Sequence, residues 1–440
     1  MDSTISIVII AGLVGAFVFI FSISPVYGIA FLTAFRTLTI LTTVTLGKYD
    51  YSGEGFLTLT IIIAGGVYVL TNFRQLKTVS TKWPFIMFIL FCMLTVLDAT
   101  DVSNFSKKVA RLIGYLILYL IIVQLSADEK KRKIISFGFV VALLVTNLPA
   151  IYLYYIAPSD YANRFQGGET LYGIQEVGIM PKNNFGFFSC YMSLFLAYLY
   201  IAARSKLSKV FFLSLFVMQA ALLVLSFTRS AWAGFAAAIP FFIFYSKNKM
   251  RLVMPILAVA VIGASLYSII SYGAYGDLTE KKKIGFNSWH FRTAYAWPAS
   301  IKAFEEKPIM GWGLGNDYYA LSKAGKLNAT SHNDYLLVLV ETGLIGLLLY
   351  LWLMMSFFRK TIAGIRNAAD EQSRMLCVAA LAILVSFLVG SIGEHCLQTP
   401  GATGYVITIL GMAHGTLLAT KRHGKHEISH VDIDYAHLPA

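Results

Sequence analysis

The sequence predicts an all-α polytopic membrane protein, on three observations. Charged residues make up only 13% of the 440-residue chain and hydrophobic ones 57%, whereas a soluble domain carries about a quarter charged residues. The mean hydropathy is +0.67. Apolar runs of about 20 residues, long enough to cross a bilayer core as helices, recur from Ile5 to Thr420. These runs do not alternate polar and apolar residues in segments of about ten, so a closed β-barrel is set aside.

Taken in order, spans fall near residues 5–23, 26–46, 56–73, 83–97, 112–125, 134–156, 185–203, 210–227, 231–245, 252–272, 335–358, 375–392 and 405–420. That is about twelve or thirteen helices, depending on whether residues 1–46 make two full crossings. The first run follows Met1-Asp2-Ser3-Thr4, which lacks the positive leader of a cleaved signal, and is read as a retained helix. No long soluble stretch interrupts the runs. Residues 1–420 are therefore expected as one transmembrane domain, with residues 273–334 as a long loop within it. Residues 421–440, which hold four of the eight histidines, are expected as a solvated, disordered tail. Cys92, Cys190 and Cys377 lie in apolar runs and Cys396 just past one. With no C-x-x-C, neither a zinc site nor a disulfide framework is indicated.

Orientation follows from the short loops that carry Lys and Arg. Arg74/Lys77/Lys82, Lys130–Lys133, Arg204/Lys206/Lys209, Lys247/Lys249/Arg251 and Arg359/Lys360/Arg366/Arg374 fall in alternate loops, which are read as cytoplasmic. The opposite face receives the loops around 98–111, 157–184, 228–230, 273–334 and 393–404. The longest sets Lys281, Lys282, Lys283, Arg292, Lys302, Lys307, Lys323 and Lys326 against six acids, and Lys107, Lys108 and Arg111 add to the excess. Positive charge on the face where it is normally scarce points to an anionic ligand such as phosphate.

The chemistry-bearing residues gather on that face. Ser331-His332-Asn333-Asp334-Tyr335 precedes an apolar run, and Ser, Asn and Asp there are helix N-cap residues. His332 then stands beside a helix N-terminus, whose partial positive charge favours a neutral imidazole able to accept a proton as a general base. An interfacial histidine that only hydrogen-bonds a loop fits the same pattern. Arg229, in Thr228-Arg229-Ser230, is held where two apolar runs meet with almost no loop between them. Arginine at that depth is a functional hypothesis by default, and snorkelling to a lipid phosphate is the alternative. Arg292 and Arg164 lie on the same face, and three guanidinium forks could clamp a pyrophosphate.

Other features read more plainly. Gly311-Trp312-Gly313-Leu314-Gly315 lacks the strand and helix of a dinucleotide fingerprint and is expected as a tight turn that folds the loop back on the bundle mouth. Gly343 and Gly346 suit the close approach of a neighbouring helix. Glu341, about two turns below His332, is either a structural partner or an orienting group. Arg36 is either interfacial or a substrate contact. His290, His332, Asp334, Glu394 and His395 lack the ligand spacing of a metal site, so metal-independent chemistry without a cofactor is expected.

Arg292 with Trp297, Pro308–Asn316, His332–Leu336 and Glu341–Gly346 together resemble the signature region of the O-antigen ligase and O-antigen polymerase family, and Thr228-Arg229-Ser230 resembles its earlier arginine motif. The resemblance spans roughly residues 226–358. It implies a multi-pass glycosyltransferase of the bacterial inner membrane, of GT-C type, with short helices in a large periplasmic loop. The implied donor is an undecaprenyl pyrophosphate-linked glycan, and the partners include the lipid bilayer but no nucleic acid. A ligase passes the glycan to lipid A–core; a polymerase passes it to another lipid-linked repeat unit. By matching motif, His332 would be the base, Arg229 and Arg292 would bind the donor pyrophosphate, and Arg164 is a looser match. Asn333, Asp334, Glu341, Lys107, Lys108 and Arg111 stand as supporting or acceptor-side residues. The chain's moderate length, single main outer loop and outer basic residues favour a ligase. A polymerase is the nearest alternative, and a polysaccharide flippase or other transporter is the reading from a different class. Transporters commonly show repeated halves with charges near the midplane, and no such repeat is visible here.

Overall fold

A computed structural model of the chain describes residues 3–152, 176–177, 180–245 and 286–434, except 42, 47, 48, 227 and 398. It is an all-α polytopic membrane protein. The helices are α1 (Ser3–Ile23), α2 (Pro25–Phe35), α3 (Gly53–Thr71, with a π turn at Ile61–Gly65), α4 (Lys82–Leu94), α5 (Val102–Leu125), α6 (Glu129–Ile151), α7 (Lys182–Ala202), α8 (Lys206–Leu225) and α9 (Arg229–Tyr245). They continue with α10 (286–306, with a π turn at Arg292–Ala296), α11 (Asp317–Ala324), α12 (Asp334–Arg366), α13 (Glu371–Gly393) and α14 (Pro400–Asp434). Among the described residues nine helices are long and apolar enough to cross a membrane. The stretches 83–97 and 231–245 form the shorter α4 and α9, and 252–272 lies outside the described residues. Leu70, Leu97, Leu148, Leu207 and Phe244 stand exposed, which in a bilayer is the favourable environment for them.

Three elements differ from the sequence reading. Residues 26–46 are not one continuous span: α2 ends at Phe35, a 3-10 turn covers Arg36–Leu41, and Thr43–Leu46 (β1) pairs antiparallel with Tyr49–Ser52 (β2). The chemistry explains the break. The Arg36 guanidinium is buried and paired with Glu54 at 3.1 Å, and the β-branched Thr37, Thr39, Thr43 and Thr45 favour extended backbone over helix. Arg36 is thus an internal structural pair. A second small hairpin joins Glu176–Val177 (β3) to Met180–Pro181 (β4). Finally, α14 carries on to Asp434, past Thr420 where the span was expected to give way to a disordered tail.

The centre of the bundle is α7, α13 and α14, the most buried of the membrane-length helices. Small residues allow this. A Cβ at Gly411 would lie 2.9 Å from the Ile122 side chain, and one at Gly415 2.7 Å from the Val123 carbonyl, so α14 and α5 approach at backbone distance. Around this core α9 and α12 pack on α13, and α2 packs on α6. One end of the bundle collects the starts of α5, α9 and α12, the end of α13, and the loop 286–333.

Candidate active site

The site begins with how α12 starts and where it breaks. Asn333 caps it, its side-chain oxygen accepting from the Tyr335 and Leu336 N–H groups at 2.9 and 3.1 Å. Asp334, fully buried, accepts from Ser391 Oγ at 2.7 Å and from Leu397 N–H at 2.8 Å. These bonds fasten the first turn of α12 to the end of α13 and the connector beyond it. Asn333 and Asp334 are therefore scaffold for the site.

Two turns in, α12 is interrupted at Gly343, whose φ of 64° and ψ of −167° leave the helical region. The freed backbone groups are taken by the loop 308–313. Leu344 N–H donates to the Pro308 carbonyl, Trp312 N–H to that of Val340 and Gly313 N–H to that of Glu341, each at 2.9 Å. This is how broken backbone is tolerated inside a bundle. Gly311, Gly313 and Gly315 all take positive φ, and a Cβ on Gly311 would meet the Glu341 backbone at 2.5 Å. The glycine-rich motif is the tight turn expected of it, docked into the helix break. Gly343 admits this loop where a neighbouring helix was expected.

Beside that scaffold four polar side chains converge. His332 Nδ1 lies 3.5 Å from Glu394 Oε1, and Glu394 Oε2 accepts from Arg292 Nη2 at 2.7 Å. The His332 ring stacks on that of His395, centroids 5.5 Å apart and planes within 14°. His332 is the most open of the set, with 37% of its side chain exposed against 18% for Arg292 and 11% for Glu394. Burial raises the pKa of the Glu394 carboxyl, but the His332 contact and the Arg292 charge outweigh it and hold it below the usual carboxylate range. Burial and the neighbouring His332 hold His395 down to about 3, a neutral ring. Arg292 opens a π turn, a feature frequent at functional sites. A Cβ on Gly393 would lie 3.3 Å from Ser230 Cβ and 3.9 Å from Arg292 Nη1, so the start of α9, where Arg229 stands exposed, adjoins the same mouth.

A second, deeper pair adjoins it. Lys108 Nζ meets Glu341 Oε1 at 2.6 Å, with the Glu341 side chain 2% exposed. The Asp317 N–H points to the same oxygen at 3.4 Å. Lys108, Arg111, Glu341, Phe88 and Leu314 line a cavity of about 30 Å³, room for one or two waters. Glu341 is thus a structural partner of Lys108. Lys107 lies exposed on α5, and Arg164 is outside the described residues. Asp317, beneath the mouth, accepts from the Ser331 N–H at 3.0 Å; burial and the Glu341 carboxylate push its pKa up to about 7.

Sequence reasoning expected His332, Arg292 and Arg229 on one face; the structure joins His332 and Arg292 through Glu394 and sets the start of α9 beside them. It missed Glu394, His395 and Asp317 in these roles. The signal was a Glu-His pair just past the apolar run 375–392, weighed only as metal ligands. Among the described residues no group of three or more His, Cys, Asp or Glu side chains is disposed to hold a metal ion.

Residues 213–351 match the family model described as O-antigen ligase. That stretch contains Arg229, Arg292, His332 and the α12 break. The resemblance is to the O-antigen ligase family. A curated O-antigen ligase from Pseudomonas aeruginosa PAO1 is 24% identical over 287 residues, covering 64% of this chain and 66% of that protein. The O-antigen ligase match ends before α13, so Glu394 and His395 enter the site through the fold.

Proposed function

We propose that this chain is an O-antigen ligase-type glycosyltransferase, taking a glycan from undecaprenyl pyrophosphate and joining it to a sugar hydroxyl of lipid A–core. The work is done on the periplasmic face of the bacterial inner membrane. The observation that carries the reading is the Glu394 bridge, which ties a proton acceptor, His332, to an anion binder, Arg292, at one open mouth.

The chemistry follows from these groups. The acceptor hydroxyl oxygen attacks the anomeric carbon, and His332 takes its proton. The anomeric carbon–oxygen bond breaks as the new one forms, and its electron pair leaves on the pyrophosphate. Arg292 and Arg229, with Arg164 as a third candidate, bind that pyrophosphate and stabilise the charge it gathers on departure. One displacement at one carbon inverts the configuration. Glu394 holds Arg292 in place and balances the imidazolium that forms on His332. A pyrophosphate leaves readily, so guanidinium groups suffice where a poorer leaving group would call for a metal. Lys108 and Arg111 line the adjoining cavity and add positive potential on the acceptor side.

The test is transfer by the purified protein from a lipid-linked glycan to lipid A–core. His332→Ala is expected to abolish transfer, and Arg229→Ala and Arg292→Ala to weaken donor use. Full transfer by His332→Ala would overturn the assignment of the base. Chain extension on a second lipid-linked unit would make the protein a polymerase. Passage of lipid-linked sugar across liposomes without bond formation would make it a transporter.

A further inference from the structure

We infer that His395 is a positioning residue for the transfer, its ring stacked on that of His332 and holding it in its working orientation. The inference rests on the reading of His332 as the base.

His332 has φ +48°, a left-handed conformation unfavourable for any residue but glycine, which persists only where the surroundings over-determine it. Its side chain is also more than a third open to solvent, so an unsupported imidazole there would sample several rotamers. The support comes from the connector between α13 and α14. His395 covers one face of His332, the rings 5.5 Å apart and nearly parallel. His395 is itself fixed by two bonds, and its partner Ser331 by a third. Its Nε2 lies 3.0 Å from the hydroxyl of Ser331, the residue before His332. The Ser331 N–H is in turn held by Asp317 at 3.0 Å. The Thr399 hydroxyl donates to the His395 carbonyl at 2.5 Å. Two residues on, Leu397 N–H is bound to Asp334, so the strap carrying His395 is tied to the first turn of α12, which His332 immediately precedes.

The electrostatics suit a spacer. The charged or titratable groups facing this pair are Glu394 on the strap, Arg292 from α10, Lys108 from α5 and Asp317 from α11. With those cations near, a second protonated ring against the face of His332 would oppose its taking a proton. Burial keeps His395 neutral, so it sets no positive charge against the face of His332. Stacking between neutral and cationic rings adds to the hold.

Plain space-filling and positioning make different predictions in the full-length protein reconstituted with lipid-linked glycan and lipid A–core. His395→Ala removes the plate, and a displacement of the base by about 1 Å costs about 100-fold in rate. The expected result is a fall in kcat of that order with the donor KM unchanged. His395→Phe keeps a flat ring in the slot but loses the Ser331 tether, so it is expected to recover kcat in part, to about the level of Ser331→Ala. Should His395→Ala fail to fold, Ser331→Ala carries the test, since it cuts the tether and leaves both rings; a lowered kcat at unchanged donor KM is expected. Wild-type kcat in His395→Ala or in Ser331→Ala overturns the inference. So does His395→Phe as inactive as His395→Ala while melting like wild type, or a loss confined to donor KM. His332→Ala measured alongside separates the two levels: if it is inactive while His395→Ala is normal, only the positioning role fails.

Discussion

Replacing Gly343 with alanine tests the helix break on which the site is built, and the sign of the effect decides. In a regular helix, glycine to alanine stabilises by about 0.5–1 kcal/mol. At Gly343 the backbone stands at φ 64° and ψ −167°, and a Cβ would fall 2.2 Å from the Ile309 carbonyl oxygen and 2.8 Å from Gly311 N. Those atoms are backbone and have no rotamer by which to yield. The loop must withdraw, and with it go the bonds from Leu344, Trp312 and Gly313 N–H. Three hydrogen bonds at roughly 1 kcal/mol each, with about 1–3 kcal/mol for an L-residue in that backbone region, amount to a loss on the order of 4–6 kcal/mol. Thermal unfolding of the purified protein in detergent reads it as a fall in Tm. Gly12→Ala in α1, where an added Cβ meets nothing within 4 Å, is the control and is expected to hold or raise Tm. Transfer activity should fall with Gly343→Ala, because the first turns of α12, which His332 precedes, are anchored above the break. A Gly343→Ala protein as stable as wild type would mean that α12 is unbroken and that the 308–313 loop is not docked into it.

Three further outcomes are expected. Lys108→Met strands the Glu341 carboxylate without its partner and should destabilise by about 3–5 kcal/mol, whereas Lys108→Met with Glu341→Leu recovers most of the loss; a double variant no more stable than the single one refutes the pairing. Asp317 is raised in the folded protein to about 7 from an ordinary 3.8, so between those values the folded state binds the extra proton and stability falls as pH rises. Asp317→Asn should flatten the dependence of Tm on pH across that window, and an unchanged slope would assign it to another group. Glu394→Gln keeps the shape but removes the charge opposite Arg292 and His332; kcat is expected to drop by about 10–100-fold without a rise in donor KM, and a rise in KM alone would make Glu394 a donor-binding element.

The linear order of residues determined what local chemistry can dictate. Apolar runs with few charges need a bilayer, and Asn333 before an apolar run caps a helix whatever surrounds it. Glycine at alternate positions in 311–315 must turn. His332, Arg229 and Arg292 were legible because a proton acceptor and guanidinium groups at the mouth of an apolar bundle are costly there unless used. The tertiary structure decided what depends on which distant side chain arrives beside which. Arg36 could be read as a substrate contact until Glu54 was seen to neutralise it. Gly343 could be read as a helix-packing residue until the 308–313 loop was found in the gap. The Glu394-His395 pair past an apolar run marks the place but not the roles, which consist of an ion pair to Arg292, about a hundred residues earlier in the chain, and a ring stack on His332. Propensity and hydropathy act over a few turns of chain. Pairing of buried charge acts between whichever elements the packing of α9, α12 and α13 places together, and only the folded chain specifies that.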